Sequence, residues 1–316
     1  MAHILAADIG GTNSRFALFE YSGGRLEMVD SIWLKTHGAS SFQELLSQLW
    51  ASDFSAQPGT FQSGALAVAG AVQHGMVCEN LPNAPWGVDL NEVSFGSVPV
   101  RLINDFVAQA YACRTLAVED SLIIQHGIAE EIGVVGVIGA GTGLGYSALL
   151  HTHGTWIALP SEGGHMAFPF YGRAELEYAE FNCQRSGRNW AEGDSVVTGL
   201  GLSLIHEFLT GETLAPEDVS QSITQESETA KWFARFYGRA CRNWALALMA
   251  HGGLFIAGGM AAKNTMLVNH PCFIEEFHNT HVYSNFLRSV PIKLNTNEES
   301  GLFGAAFYAQ QLLGSE

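Results

Sequence analysis

The sequence predicts an α/β protein of two domains, and three observations carry this prediction. The chain has 316 residues, a length that suits two domains of ordinary size. Apolar strand patterns alternate with helical patterns, as in mixed sheets covered by helices. A unit of apolar strand, Gly/Thr turn and second strand occurs twice, as HILAADIGGTNSRFALFE from His3 and as VVGVIGAGTGLGYSALL from Val134, which indicates a duplicated architecture.

The first half of the chain is expected to continue with helices and strands in alternation. Ser41 and Glu44 form a capping-box pattern at the start of the helix SSFQELLSQLW. The runs SGALAVAGAV and VPVRLIN are apolar enough to be buried strands. A helix is predicted to follow them, from about Phe106 to Leu116.

The second half is predicted to be mainly helical after the second strand–turn–strand unit. RAELEYAEFNCQRSG predicts an amphipathic helix that ends at Gly187. LFIAGGM predicts a strand, a Gly-Gly turn and a helix, and a last helix is expected near SGLFGAAFYAQQLLG. The longest helix is expected within SETAKWFARFYGRACRNWALALMAHGG, whose apolar residues recur at helical spacing at Phe233, Tyr237, Ala240, Trp244 and Leu248.

No linker rich in Pro or Ser separates the two halves, so the domains are expected to share crossing segments rather than follow one another. We expect a small α/β domain formed by residues 1–110 and 298–316. Residues 111–297 are expected to form a large α/β domain.

The charge balance restricts the class of partner. Lys and Arg total 15 against 31 Asp and Glu, which gives a formal net charge of −16. This argues against nucleic acid and anionic membranes, because both require basic patches. Small phosphates stay open as ligands, since backbone N–H groups and a metal ion bind them without net positive charge.

The cysteines and the N-terminus indicate the compartment. The five cysteines show no CxxC or other zinc-ligand spacing, so free thiols in a reducing cytoplasm are expected. The segment MAHILAADIGG reaches Asp8 before the apolar core of a signal peptide could form. We therefore expect an untargeted, cytoplasmic protein.

The uncharged run GVVGVIGAGTGLGYSALL, residues 133–150, raises two alternatives to a strand–turn–strand unit. Its many glycines and the absence of an aromatic belt or basic flank argue against a membrane span. The segment Gly143 to Ala148 fits the dinucleotide pattern G-x-G-x-x-A, but that pattern requires the turn to open a helix and an acid about 20 residues later. YSALLHTHG is too short for such a helix, and the next acid, Glu162, lies in another glycine turn.

The first glycine turn, Asp8-Ile9-Gly10-Gly11-Thr12-Asn13, follows an apolar strand and is a candidate phosphate loop. Adjacent glycines let backbone N–H groups approach an anion, and Thr12 adds a hydroxyl donor. Asp8 is a hard oxygen ligand that suits Mg²⁺ bridged to phosphate through water. A plain hairpin turn with a solvated Asp explains this motif alone equally well.

Two further glycine turns follow strands. Gly139–Gly145 carries Thr142, and Ala257-Gly258-Gly259-Met260 would bring the chain close to a flat adenine or ribose. Strand–helix packing explains the latter motif on its own. Three such turns at strand ends, two of them with threonine, favour a nucleotide site.

Asn104 and Asp105 in LINDF lie at the end of an apolar strand, before a helix. Active sites of α/β proteins form at such strand ends. Asp105 is therefore a candidate base that accepts a hydroxyl proton during phosphoryl transfer. An Asp at this place is also a favoured N-cap, and the two roles are compatible.

Two acidic segments follow. LPSEGGHMAF places Glu162 and His165 around two glycines, which suits adjacent hydroxyls of a sugar, although a solvated turn is the simpler alternative. A metal site is disfavoured there, since no HExxH motif or third ligand is near. NWAEGDSVVTGLG adds Glu192 and Asp194 before a helix, where Asp194 is equally suited to be a cap.

The motifs DIGGTN, LINDF, GAGTGLG, LPSEGGH and IAGG, in this order, resemble the bacterial glucokinase family of the hexokinase/actin-like ATPase superfamily. The resemblance extends from about residue 5 to residue 304. It implies an actin-like ATPase (ribonuclease H-like) fold of two α/β domains, with ATP and sugar in an active-site cleft between the domains that closes on sugar binding. A related group of sugar kinases carries a Cys-rich zinc motif after the GGH histidine. This chain lacks that motif, which favours the zinc-free branch.

The resemblance also implies roles for the motif residues. Asn104, Asp105, Glu162 and His165 resemble the sugar-binding set, with Asp105 as the catalytic base. The family's next sugar ligand is a glutamate that falls on Asp194, which is one methylene shorter, so Glu192 is the alternative. Mg²⁺ is expected to meet Asp8 through water. ATP is expected to contact Ala7, Asp8, Ile9, Gly10, Gly11, Thr12, Gly139, Gly141, Thr142, Gly143, Gly258 and Gly259.

The function expected from this resemblance is the ATP- and Mg²⁺-dependent phosphorylation of glucose at its 6-hydroxyl, a reaction of glycolysis. A kinase of another hexose is the first alternative, because the orientation of one hydroxyl depends on details finer than motifs. A sugar-binding regulator without catalysis is the second, and the intact base and phosphate turns argue against it. The resemblance further suggests a homodimer.

Overall fold

The computed structural model describes residues 1–313 and divides into two compact units. The first comprises Met1–Asp120 and the segment that begins at Asn297, and the second comprises Ser121–Thr296. The expected boundary after residue 110 falls inside a helix, and the first unit extends to Asp120 instead. Residues 314–316 of the expected small domain, including the last glycine of the predicted final helix, lie outside the described residues.

Strands and helices alternate within the described residues. The strands are β1 (Ala2–Ile9), β2 (Asn13–Ser22), β3 (Arg25–Lys35), β4 (Ser63–Val68), β5 (Val77–Cys78), β6 (Val88–Asp89), β7 (Val100–Asn104), β8 (Leu122–Gln125), β9 (Val135–Ala140), β10 (Leu144–Thr152), β11 (Thr155–Ser161), β12 (Gly253–Ala257) and β13 (Ile292–Leu294). The helices are α1 (Phe42–Trp50), α2 (Asp105–Ala112), α3 (Gly172–Ser186), α4 (Gly193–Val196), α5 (Gly199–Thr210), α6 (Pro216–Ser222), α7 (Glu228–Leu248), α8 (Gly259–Lys263), α9 (Thr265–Val268), α10 (Pro271–His278), α11 (Ser284–Ser289) and α12 (Ser300–Leu312).

β1 lies at the centre of the first unit's sheet, whose strand order is β3-β2-β1-β4-β7. β2 and β3 pair antiparallel with their neighbours, whereas β4 and β7 continue the sheet in parallel with β1. Leu45 and Leu49 of α1 join Leu5 of β1 in one core. α12 packs on β1, β4 and α2, and Gly304 permits this approach, since a Cβ there would lie 1.8 Å from the Ala108 carbonyl oxygen.

The second unit repeats this topology. Its strand order is β11-β10-β9-β12-β13-β8, with β11, β10 and β9 antiparallel and β9, β12 and β13 parallel. The first five positions therefore match the first unit in order and direction, and β8 is added antiparallel at the edge. The predicted duplication of a strand–turn–strand unit is confirmed. The core of this unit forms around α7, with Phe233, Tyr237 and Ala240 buried.

Most predicted elements are confirmed, and several details differ. The helix after LINDF ends at Ala112, and the chain continues through a 3₁₀ turn at Leu116–Val118. Glu44 does not complete a capping box: Ser41 accepts from its N–H, but its carboxylate accepts from the Ser40 N–H at 2.6 Å. β3 and β11 were not predicted, because their alternating residues are half-exposed and lie outside the apolar runs.

α7 is tied to two other helices by buried charges. Arg239 is 1% exposed, and its guanidinium donates to Glu175 of α3 at 2.6 and 3.0 Å. It also donates to Glu276 of α10 at 2.9 Å, and Arg242 donates to the same carboxylate at 2.8 Å. Within residues 1–313, no helix combines the length and apolar character that crossing a membrane requires.

Candidate active site

The first glycine turn connects β1 to β2 and leaves the Thr12 side chain exposed. The Gly10 N–H donates to the Asn13 carbonyl at 3.1 Å, and the Thr36 hydroxyl donates to the Gly10 carbonyl at 2.6 Å. A Cβ on Gly11 would lie 1.7 Å from the Pro82 carbonyl oxygen, so packing against that loop already requires glycine there. The turn is held from both sides and presents a hydroxyl to solvent.

Of the β1 residues expected to contact ATP, only Asp8 has a partly exposed side chain. Ala7 and Ile9 are fully buried in the core and pair through both sheet neighbours, so neither side chain reaches a ligand. Burial raises the pKa of the Asp8 carboxyl, and the charge of Arg15 on β2 lowers it in part. The backbone of Asp8 is paired in the sheet, but its carboxylate accepts no hydrogen bond from another described residue, so its oxygens remain available to water or a cation.

Asn104 and Asp105 lie at the same edge of this sheet as the first glycine turn. Ile9, Val68 and Asn104 end three adjacent parallel strands in register. Neighbouring strands are about 4.8 Å apart, so the turn after β1 and the end of β7 are roughly 10 Å apart. The phosphate-loop candidate and the candidate base therefore share one edge of the first unit's sheet.

The N-cap of α2 is Asn104, not Asp105. The Asn104 Oδ1 atom accepts from the N–H groups of Phe106 at 2.9 Å and Val107 at 3.4 Å. Its Nδ2 donates to the Gly70 carbonyl at 3.1 Å, which leaves one amide N–H. Asp105 is the first residue of the helix, and its Oδ1 accepts from the Phe106 N–H at 3.0 Å. Its half-buried carboxylate is thus held on the helix N-terminus.

The second glycine turn is shorter than the predicted segment Gly139–Gly145. Gly139 and Gly145 pair with each other inside β9 and β10, so their backbone groups belong to the sheet. The turn itself is Gly141–Gly143, closed by a 2.9 Å hydrogen bond from the Gly141 N–H to the Gly143 carbonyl. Thr142 stands exposed at its tip. The turn leads into a strand, which removes the dinucleotide interpretation.

Gly258 and Gly259 have different roles in the third turn. Gly258 has φ +89°, and a Cβ there would lie 2.6 Å from the Ala140 carbonyl oxygen, so it serves strand–helix packing. Gly259 faces open space and lines a cavity of about 580 Å³. The cavity, which lies wholly in the second unit, is lined by Gly141, Thr142, Gly199, Pro216, Glu217, Ser220, Gln221, Gly259, Met260, Lys263 and Asn264.

The structure therefore unites the Thr142 turn and the third glycine turn around one cavity. This follows from the sheet, since Gly139 of β9 pairs in parallel with Ala257 of β12. The lining residues of α5 and α6 were missed. Their signal in the sequence is only that Pro216 and Glu217 begin a helix, which carries no functional pattern.

The two glycines of EGGH place His165 beside the second turn. A Cβ on Gly164 would lie 2.1 Å from the Leu144 carbonyl oxygen, so this loop packs directly on the start of β10. The side chains of Glu162 and His165 are 72% and 59% exposed, and the Glu162 Oε2 atom lies 3.8 Å from the His165 Nε2 atom. Both are available to a ligand.

Glu192, rather than Asp194, is the carboxylate beside His165. The His165 Nδ1 atom lies 3.1 Å from the Glu192 Oε2 atom. Glu192 is also the N-cap of α4, where its carboxylate and Ser195 form a capping box. Asp194 is therefore not the cap.

The Asp194 carboxylate, which the sequence predicts as a sugar ligand with Glu192 as the alternative, makes two contacts within the protein. Its Oδ1 accepts from the Leu144 N–H at 2.8 Å, directly after the second turn. Its Oδ2 lies 3.2 Å from Nη2 of Arg188, whose Nη1 donates to Glu192 at 2.5 Å. The shorter side chain of Asp194 serves the turn, and the signal for this contact lies in no local motif.

Within residues 1–313, no group of three or more His, Cys, Asp or Glu side chains is arranged to hold a metal ion. A divalent cation would therefore rely on water and ligand oxygens for most of its coordination. The lone Asp8 carboxylate, with no protein hydrogen bond, fits such a water-mediated contact.

Comparison with known proteins identifies the family. The model of the glucokinase family matches residues 5–312. A glucokinase of Caulobacter sp. (strain K31) is 31% identical over 315 residues, which cover 96% of this chain and 93% of the relative.

Solved structures agree. A glucokinase from an Antarctic psychrotroph superimposes with a TM-score of 0.83 at 27% identity and covers 98% of this chain and 99% of its own. The glucokinase of Balamuthia mandrillaris, solved in complex with glucose, shares the fold with a TM-score of 0.78 at 19% identity, over 98% of this chain and 94% of its own. The predicted two-domain actin-like ATPase fold is confirmed. The chain belongs to the glucokinase family.

Proposed function

We propose that this protein transfers the γ-phosphoryl group of ATP to the 6-hydroxyl of glucose. The observation that carries the proposal is the second unit's cavity, where the exposed Thr142 turn and Gly259 meet beside the loop that bears His165. Membership of the glucokinase family across residues 5–312 supports the same reaction.

The nucleotide is assigned to the cavity of the second unit. A volume of about 580 Å³ suits a ligand of nucleotide size. Thr142 and the Gly141–Gly143 backbone offer donors to phosphate oxygens, and Thr12 of the first unit offers a second hydroxyl. Lys263 supplies a cation to the cavity wall.

Asp105 is assigned as the base. The 6-oxygen of glucose forms a bond to the γ-phosphorus, and the bond from that phosphorus to the bridging β–γ oxygen breaks. The proton of the 6-hydroxyl passes to the Asp105 carboxylate, and ADP leaves. In a largely dissociative transfer the proton moves late, so an ordinary carboxylate suffices as acceptor.

The sugar ring is assigned to Asn104, Glu162, His165 and Glu192. Asn104 keeps one N–H for a hydroxyl, since the helix cap and Gly70 use its other groups. Glu192 takes the place that the family's glutamate would have, because the Asp194 carboxylate is engaged by Leu144 and Arg188. Fixed hydrogen-bonding partners of this kind supply much of the rate by orientation.

Mg²⁺ is proposed as the cofactor of ATP. Asp8 would hold it through water, and the ion would neutralise charge on the phosphate oxygens. The Asp8 carboxylate accepts no hydrogen bond from residues 1–313, which supports this assignment.

An ADP-release assay over a panel of hexoses, with and without Mg²⁺, tests the proposal. We expect glucose to give the highest kcat/KM and chelation of Mg²⁺ to abolish turnover. A higher kcat/KM for mannose, fructose or an amino sugar would assign a different hexose kinase. Sugar binding without ADP release from any hexose would identify a regulator and refute the proposed reaction.

Two finer assignments are also proposed. A cytoplasmic location is supported by the five cysteines, none of which forms a disulfide within the described part of the chain. A homodimer is supported by the edge strand β8, where Leu122 and Ile123 are 44% and 53% exposed. Sedimentation analysis of the protein and of Ile123→Lys tests it: a monomeric wild type, or an undisturbed dimer in the variant, contradicts this face as the interface.

A further inference from the structure

Arg188 lies between two carboxylates that belong to different parts of the site. Its Nη1 is 2.5 Å from Glu192 Oε2, and its Nη2 is 3.2 Å from Asp194 Oδ2. The Arg188 side chain is 31% exposed, and the two carboxylates are only 16% and 17% exposed. A guanidinium has two parallel N–H groups in a rigid fork, so it spans two oxygens at once.

The first carboxylate faces the proposed sugar ligands. The Glu192 Oε2 atom that meets Arg188 also lies 3.1 Å from His165 Nδ1. The position of His165 thus depends on a carboxylate that Arg188 holds.

The second carboxylate faces the proposed phosphate turn. Asp194 Oδ1 accepts from the Leu144 N–H at 2.8 Å, and a Cβ on Gly143 would lie 2.9 Å from the same oxygen. Gly143 and Leu144, the two residues that follow Thr142, therefore both lie against Asp194. Thr142 itself lines the cavity.

Removal of the guanidinium would leave two negative charges close together. Glu192 and Asp194 lie two positions apart at the start of the short helix α4, and both are largely buried. Like charges in a poorly solvated site repel, so each carboxylate would move from its second partner. His165 would lose its anchor on one side, and the Thr142 turn would lose its anchor on the other.

We propose that Arg188 is a positioning residue that holds the His165–Glu192 pair and the Thr142 turn in one arrangement and thereby serves both substrates. The inference rests on the function proposed above and extends it to a residue whose partners described here are the Glu192 and Asp194 carboxylates.

Steady-state kinetics in which glucose and ATP are varied separately tests this role. We expect Glu192→Gln to raise the KM for glucose and Asp194→Asn to raise the KM for ATP. Arg188→Ala is expected to raise both, each by about tenfold, the size expected for loss of one charge-assisted hydrogen bond. Arg188→Lys, which bridges one carboxylate at a time, is expected to restore one KM and leave the other raised.

Arg173→Ala is the matched control, because Arg173 pairs with Glu177 on the exposed surface of α3 and is 93% exposed. It is expected to leave both KM values unchanged. A rise in one KM only for Arg188→Ala, or in neither, overturns the proposal, and so does an Asp194→Asn variant that alters only the KM for glucose. If Arg188→Ala does not fold, Arg188→Lys decides: recovery of both KM values refutes the bridging role. A wild-type protein that fails to phosphorylate glucose refutes the proposed function itself. An active wild type together with unchanged KM values in Arg188→Ala refutes only the role of Arg188.

Discussion

At the scale of single residues, Asn104 caps α2 and leaves the Asp105 carboxylate available for the proposed role of base. The amide caps α2 and binds the Gly70 carbonyl, so the neighbouring carboxylate is not needed as the cap. The Oδ1 atom of Asp105 accepts a hydrogen bond from the Phe106 N–H, which orients the carboxylate. A fixed cap beside a fixed carboxylate is what a positioned base requires.

Asp105→Asn is expected to retain glucose binding and to lower kcat by about 10² or more, because an amide cannot accept the hydroxyl proton. Isothermal titration with glucose measures the first quantity, and ADP release measures the second. Near-normal turnover in the variant would remove Asp105 from the mechanism, and loss of glucose affinity with normal kcat would reassign it as a sugar ligand.

Asp8 is expected to lower the stability of the ligand-free protein at neutral pH. Its pKa is raised from 3.8 in the folded state by burial, despite the opposing charge of Arg15. The folded protein therefore binds a proton that the unfolded chain has already released. The stabilisation from this bound proton is fully present below about pH 3.8, the pKa of the unfolded chain. It is lost as the pH rises through the pKa of the folded state.

Asp8→Asn should thus raise the Tm without ligand at pH 7.5, with a smaller gain as the pH falls, while Mg²⁺-dependent turnover is lost. Thermal unfolding of wild type and variant, measured from pH 7.5 down to about pH 4, checks the difference in Tm. Asp30→Asn is a control of opposite sign, because hydrogen bonds from Ser55 lower the pKa of Asp30. A lower Tm for Asp8→Asn at pH 7.5 would contradict the assigned cost of this carboxylate.

At the scale of elements, buried charges rather than apolar contacts alone fix α7 against α3 and α10. Arg239 joins Glu175 and Glu276, whose side chains are each only 8% exposed. Its guanidinium also lies 4.2 Å from the centre of the Tyr171 ring. Loss of the cation would leave two carboxylates poorly solvated and short of partners.

Arg239→Met is expected to lower the free energy of unfolding by about 3–5 kcal/mol, the range for breaking a buried pair. Arg173→Met removes an exposed pair and should change it by less than about 1 kcal/mol. Urea unfolding of both variants measures the difference. Equal effects would show that the Arg239 cluster contributes no more than a surface pair.

Local patterns predicted the elements well where one periodicity dominates. α7 and the two strand–turn–strand units follow from apolar spacing and from the glycines between strands. The site was predicted less completely, because its contacts join distant segments. Asp194 contacts Leu144 although β11 and α3 separate the two residues along the chain. The helix α6 lines the cavity, but its sequence contains no functional motif. The extent of the second turn depended on pairing of Gly139 with Gly145, which composition alone does not reveal.

At the scale of the whole molecule, the repeated sheet gives each unit its own core. Leu45 is fully buried in the core of the first unit, and Leu287 is fully buried in that of the second. Truncation of a buried leucine to alanine lowers the free energy of unfolding by about 2–5 kcal/mol. The loss is expected to act mainly on the core in which the cavity forms.

Leu45→Ala should therefore increase hydrogen exchange mainly in β1, β2 and β4, and Leu287→Ala mainly in β9, β12 and β13. Exchange followed by mass spectrometry resolves these segments, and the two variants serve as controls for each other. Equal loss of protection in both units from either substitution would show that the two cores unfold as one.

The position of α12 has a consequence for synthesis on the ribosome. This helix covers β1 and β4, yet it follows the entire second unit in the chain. The face of β1 and β4 that α12 covers therefore stays uncovered until α12 has emerged from the exit tunnel. The second unit is contiguous in the chain and can fold before the first unit is complete. A chaperone that shields nascent apolar surfaces would act on β1 and β4.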